Sequence, residues 1–251
     1  MGEALCRCRG AGKAVKLRFF AQSCDVGVTE LGSKETHDFF IHVFKEKNLI
    51  PIIGSGFSRD ASTQHGGKVP SGGDMKMEII KRLVSANKGD ESELKEQTFS
   101  SISEYFQNCF PNPKENGIVD YFRTNFTRVT IDKVHQLQFI NDIKWPYVYT
   151  LNIDTAIENS REGAWEVFYP NRVFDEREVK ESCTSLYKIH GDVNMFCKNL
   201  DYNEMILTES QYIASLGSNV KFHNLLTADC GNKNLIYIGC SLEDEIDIKF
   251  S

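Results

Sequence analysis

The sequence predicts an α/β fold, a parallel sheet flanked by helices with a small helical insert or cap. Three observations support this. Short apolar runs recur at residues 49–53, 147–150, 186–189 and 235–238. The stretches between them are long and show helical apolar spacing, as parallel crossovers require. Each run ends in a small or polar cluster, the pattern of strands that open onto a crevice at one sheet edge.

The whole chain bounds the rest. At 251 residues and 41% hydrophobic, it suits one substantial α/β domain, or one domain with a small insert. The net charge of −6 disfavours a large nucleic-acid surface, so no direct nucleic-acid contact is expected. No apolar run reaches the roughly 18 residues of a spanning helix, and no secretory h-region is visible at the start. The eight cysteines include no Cys-x-x-Cys pair, and no His, Asp or Glu spacing suggests a metal. They read as reduced thiols in a cytoplasmic protein without membrane attachment.

Residues 1–34 differ in character from the remainder of the chain. Arg7, Arg9, Lys13, Lys16 and Arg18 make them basic, and they are expected to form a poorly ordered leader. Within it, Leu17, Arg18, Phe19 and Phe20 offer a short edge strand or a packing segment. The domain, residues 35–251, opens with a helix over 36–47, carried by Phe40, Val43 and Phe44. The run at 49–53 then enters Gly54-Ser55-Gly56-Phe57-Ser58, a turn without Cβ atoms at two positions, followed by a first helical turn. Such a turn is expected to present backbone N–H groups to an anion. Residues 64–73 form a polar loop beside it.

Helices come next over 74–86, where Met75, Ile79 and Leu83 share a stripe, over 99–109, near 118–126 and over 131–143. Pro111 and Pro113 stop the second. The segment at about 74–143 therefore reads as the helical insert. Tyr147-Val148-Tyr149-Thr150 is the next strand and leads into Leu151-Asn152-Ile153-Asp154 and a short helix to about Ser160. Residues 165–168 alternate as a strand, and 170–183 are loop-like. The run at 186–189 ends in His190-Gly191-Asp192. Thr208 and Glu209 open a helix through Leu216, and 219–229 continue helical. The last strand, 235–238, ends in Gly239-Cys240-Ser241-Leu242-Glu243-Asp244.

If the strands are parallel, the four clusters converge, although they are far apart in sequence. Between them they offer an imidazole, a carboxamide, a carboxylate and hydroxyls beside glycines. No Walker lysine succeeds the Gly turn, which argues against ATP-type phosphoryl transfer. No Gly-x-Ser-x-Gly elbow is present. Each residue also has an ordinary role open to it. Asn152, Asp154 and Asp244 would serve as helix caps, and His190 would satisfy a strand end.

The four clusters, in this order, resemble the motifs of sirtuins. Thr150-Leu151-Asn152-Ile153-Asp154 is similar to their Thr-Gln-Asn-Ile-Asp, and Lys188-Ile189-His190-Gly191 to their catalytic His-Gly. Gly54-Ser55-Gly56-Phe57-Ser58 resembles their Gly-Ala-Gly-x-Ser turn, and Gly239-Cys240-Ser241 their nucleotide loop. The likeness covers about residues 36–250 and implies a Rossmann-like sheet. The zinc ribbon of protein-deacylating sirtuins is absent, their Pro-Asp-Phe-Arg segment is missing, and Leu151 replaces the motif glutamine. With Leu207-Thr208-Glu209 and Ser241-Leu242-x-Asp244, the pattern is closer to sirtuin-like NAD-degrading domains of bacterial anti-phage defence proteins.

That resemblance implies hydrolysis of NAD to ADP-ribose and nicotinamide, with NAD as substrate and no metal. Asn152 would position water or the ribose, and His190 would act as general base. Gly54, Gly56 and Ser58 would hold the diphosphate, with Ser55 and Phe57 beside them. Asp154 would bind the nicotinamide amide or orient Asn152. Gly239 and Ser241 would approach the adenosine side, with Gly191 and Asp244 completing the NAD contacts. A homo-oligomer or a larger sensing assembly is the expected context, and the end after Ser251 leads to the expectation of a further sensing or effector region. The alternatives are a non-catalytic NAD or ADP-ribose sensing module and, disfavoured by the missing ribbon, a protein deacylase.

Overall fold

The computed structural model describes residues 19–20, 34–170, 172 and 182–240. Ser241 and Asp244, most of the basic leader and most of the 170–183 loop lie outside the described residues.

Among the described residues the strands are β1 (Phe19–Phe20), β2 (Leu49–Ile53), β3 (Tyr147–Thr150), β4 (Trp165–Phe168), β5 (Thr184–Lys188) and β6 (Asn234–Ile238). They form one sheet in the order β1-β6-β2-β3-β5-β4. β2 to β6 pair in parallel, and β1 adds antiparallel to β6 through Phe19 opposite Ile236. This is a Rossmann-like α/β fold, as the spacing of the apolar runs predicts.

Pro51 lies inside β2, where it lacks an N–H. The Gly54 N–H donates to Ile238 O on β6, so residues of its parity, Ile50 and Ile52, face β6 as well. The missing donor of Pro51 therefore points towards β3, whose pairing with β2 begins only at Ile52 opposite Tyr149. The full register with β6, from Leu49 to Ile53, is kept.

Alternation along the strands fills two cores. Leu49, Ile53, Val148, Leu186 and Ile236 face one side. They meet Val43 of α1 (Lys34–Lys45), the helices of the first crossover, and Val193 and Phe196 of α8 (Val193–Asn199). That crossover holds α2 (Ser55–Ser58), α3 (Gly72–Ser85), α4 (Glu91–Glu96), α5 (Phe99–Cys109), α6 (Ile118–Phe126) and α7 (Val134–Asn141). Ile50, Ile52, Tyr149, Tyr187, Leu235 and Tyr237 face the other side, against Phe222 and Leu226 of α10 (Val220–Asn232). There Asp229 of α10 accepts from both Tyr147 Oη at 2.8 Å and Tyr149 Oη at 2.6 Å. Before α10, α9 (Glu209–Ser218) begins at a capping box between Thr208 and Gln211, as Thr208 predicts.

Three elements differ from expectation. Helix α4 arises in the charged stretch before Gln97, anchored by the buried Leu94. The segment after Asp154 forms turns and one 3-10 turn over Glu158–Ser160 in place of a short helix. Helix α8 was not expected; Asp192 caps it by accepting from the Met195 N–H at 3.0 Å.

Candidate functional site

The four clusters succeed the neighbouring strands β6, β2, β3 and β5, so one sheet edge carries the first three and, of the last, Gly239 and Cys240. Each loop extends the ladder by one step. Gly54 N–H reaches Ile238 O at 2.9 Å, Leu151 N–H reaches Ile53 O at 2.8 Å, and Ile189 N–H reaches Thr150 O at 2.8 Å. Beyond β3 the chain leaves for the edge strand β4, and beyond β5 it leaves for β6 on the opposite side. The first connection packs Ile157 on the Val148 face, and the second, after α8, packs α10 on the Tyr149 face; a crevice opens where right-handed crossovers part in this way. Asn152 and His190 lie just past these two strands.

The Gly turn is built by close approach. Gly56 N–H donates to Gly239 O at 2.8 Å, and a Cβ on Gly54 or Gly56 would lie 2.7 or 2.8 Å from that same oxygen. Gly239 has φ +70°, and its own Cβ would fall 2.4 Å from Phe57 N. Three of the turn's donors are engaged within the chain: the Gly54, Gly56 and Phe57 N–H groups serve the Ile238, Gly239 and Gly54 carbonyls. Helix α2 is only four residues long. The glycines are required because two backbones touch.

Behind the turn lies a buried polar chain. Thr150 Oγ1 donates to Ile53 O at 3.0 Å and accepts from Asn152 N–H at 3.1 Å. Asn152 Nδ2 donates to Ser58 Oγ at 2.9 Å and Gly54 O at 3.2 Å. Ser58 Oγ in turn donates to Asp154 Oδ1 at 3.3 Å, which also accepts from Ala156 N–H at 2.9 Å. Ser58 is fully buried and links Asn152 to Asp154. Burial pushes the Asp154 carboxyl above its ordinary value, against the pull of Ala156 N–H and Lys188. Asn152 Oδ1 is buried and has no hydrogen-bond partner among the described residues. A buried acceptor without a partner calls for an explanation, and a bound ligand group supplies one.

Across the β3–β5 junction, His190 is hydrogen-bonded to the backbone of Leu151, next to Asn152. Burial pushes its imidazole down to about 4, so the ring is neutral at pH 7. Gly191 has φ +85° and sits so close to the 204–205 backbone that a Cβ would lie 2.1 Å from Glu204 O. Its glycine is thus explained by chain packing.

Lys188, Glu158 and Thr150 belong to the site as well, although sequence reasoning gives them no role. Lys188 is fully buried, and its Nζ donates to Ile153 O, Asp154 O and Glu158 Oε1 at 3.1, 2.7 and 2.6 Å. It also pairs with Asp192 Oδ2 at 2.8 Å. Burial alone would lower its pKa, but Glu158 and Asp192 outweigh that and hold it above the ordinary lysine value. The signal was present: a lysine interrupts an apolar strand on the face that Leu186 shares. No group of three His, Cys, Asp or Glu placed to hold a metal occurs among the described residues.

Fold and site together define an α/β protein of Rossmann type with its polar groups gathered at the carboxyl edge of the sheet. Residues 146–250 match the family model of the SIR2-like domain. The matched span contains Asn152, Lys188, His190 and Gly239, while the turn at 54–58 precedes it and reaches the same rim through β2. The chain matches no curated protein. None of the helices among the described residues is long and apolar enough to cross a membrane.

Proposed function

We propose that the protein hydrolyses NAD at the nicotinamide–ribose bond. Water adds at the anomeric carbon, nicotinamide leaves with the bonding pair, and ADP-ribose and a proton are released. The transition state at such a centre resembles an oxocarbenium ion. His190, neutral and held beside Leu151, takes the proton from water directly or through a ribose hydroxyl. Asn152, its amide nitrogen already engaged, turns its amide oxygen to the water or the ribose. Asp154 and Ser58 hold that carboxamide in place. The observation that carries the reading is the unsatisfied Asn152 Oδ1, in the loop that lies between the Gly turn and the His190 loop.

In the cell we assign this activity to NAD depletion in anti-phage defence, in the cytoplasm, by a homo-oligomer or a larger sensing assembly. These points rest on the resemblance of the motifs. Incubation of the purified chain with NAD, then chromatography of the products, tests the chemistry. Nicotinamide and ADP-ribose are expected in equal amounts, and Asn152→Ala and His190→Ala are expected to abolish both while the chain stays folded. Near-normal turnover in both folded variants rejects the assigned roles. Retention of NAD at equilibrium without nicotinamide release selects a sensing module in place of an enzyme.

A further inference from the structure

We infer that Lys188 is a positioning residue: one buried ammonium sets the geometry of both Asn152 and His190. The inference deepens the proposed reaction and rests on that reading for its kinetic consequence. An apolar side chain would continue the strand pattern, because Leu186 on the same face is fully buried. Burying an ammonium carries a large desolvation cost, so its contacts must accomplish something a leucine cannot.

Those contacts join three elements. The carbonyls of Ile153 and Asp154 belong to the segment just past β3, which has left the sheet ladder. Glu158 lies at the start of the 3-10 turn beyond it. Asp192 is the N-cap of α8 and accepts Lys188 on Oδ2 and Met195 N–H on Oδ1. Lys188 therefore fixes the peptide groups on the far side of Asn152, while Thr150 fixes its near side. The Asp154 carboxylate set by this anchor orients Ser58, and Ser58 orients the Asn152 amide. In the other direction, Nζ holds the Asp192 carboxylate at 2.8 Å, two residues beyond His190, and Asp192 N–H donates to Glu204 O at 2.9 Å, which fixes the far end of the turn that carries His190. Removing the ammonium releases both arms together.

The test uses the full chain and two variants. Lys188→Met leaves two carboxylates facing each other, so the combined variant Lys188→Met, Glu158→Gln, Asp192→Asn removes all three charges and keeps a capping side chain. Far-UV circular dichroism checks the fold. Hydrogen exchange of the Asn152 side-chain amide, read by 15N NMR, reports its hold on Ser58 and Gly54 without reference to turnover. In the folded combined variant that exchange is expected to quicken by about 10-fold or more. Its kcat for NAD is expected to fall by about 100-fold, with KM within about threefold, as misplacement of reacting groups does. Unchanged Asn152 exchange in the folded variant overturns the inference, whatever the turnover. Failure of the combined variant to fold also overturns it, by making Lys188 a stability residue only. A wild-type chain that does not cleave NAD rejects the proposed function, while the exchange experiment still decides the role of Lys188.

Discussion

Substitution of Gly239 by alanine tests whether the rim is held by contact between two backbones. The residue has φ +70°, so an added Cβ costs about 1 kcal/mol from conformation alone. That Cβ would also stand 2.4 Å from Phe57 N and 2.8 Å from Gly56 C. Neither neighbour is the flexible end of a side chain, so the β6 loop and the Gly turn must separate, and overpacking of this kind costs about 1–3 kcal/mol. The expected total is about 2–4 kcal/mol, a fall in Tm of roughly 4–16 °C for a chain of this length. Gly66 supplies the control. Its φ is +78°, but nothing lies within 4 Å of its added Cβ. Gly66→Ala should therefore lose only about 1 kcal/mol, or roughly 2–4 °C. Thermal melts of the two variants by circular dichroism, beside wild type, measure the difference. Equal shifts for Gly239→Ala and Gly66→Ala would show that the close approach is not a feature of the folded protein, and the account of Gly54 and Gly56 would fall with it.

The buried polar groups give two further outcomes. Asp229→Ala strands the hydroxyls of Tyr147 and Tyr149 and should cost about 2–5 kcal/mol in urea unfolding; a double-mutant cycle with Tyr149→Phe should give a coupling of about 1–3 kcal/mol, and zero coupling refutes the shared carboxylate. His190 has a folded pKa of about 4, below its ordinary 6.5, so the unfolded chain takes up a proton first as pH falls. Its contribution is whole above about pH 6.5 and is lost progressively towards pH 4, by up to about 3 kcal/mol. His190→Gln should flatten the stability profile across that window relative to wild type, and superimposable profiles would place the ring elsewhere.

Much of this arrangement was legible in the chain. The apolar runs at 49–53 and 147–150 coincide with β2 and β3, because a strand covered on both faces reads as unbroken hydrophobicity. The parallel order brought the Gly turn, Asn152, His190 and Gly239 to adjacent positions, as the shared pattern of strand ends implies. What was not legible is which partner each polar group takes. Asn152 binds Ser58 across 94 positions of sequence, and Lys188 reaches Glu158 across 30; no local periodicity records such pairings. The same holds for the Gly turn, where the carbonyl that takes the Gly56 amide comes from Gly239, far along the chain. Helix α8 is hidden in the sequence because its cap, Asp192, also ends the His-Gly-Asp cluster.

The bond from Gly56 to Gly239 also bears on how an anionic ligand is admitted. In a phosphate cradle whose amides stand open, association is limited by diffusion and orientation. Here the amide of Gly56 already has a carbonyl tenant, and a phosphate claiming it must evict that tenant. The exchange forfeits a bond worth about 1 kcal/mol and loosens one strand end from its neighbour. For a phosphate bound at that amide, occupancy and local opening of the sheet would be linked, so whatever stiffens the end of β6 from outside would oppose such binding, and whatever slackens it would favour it.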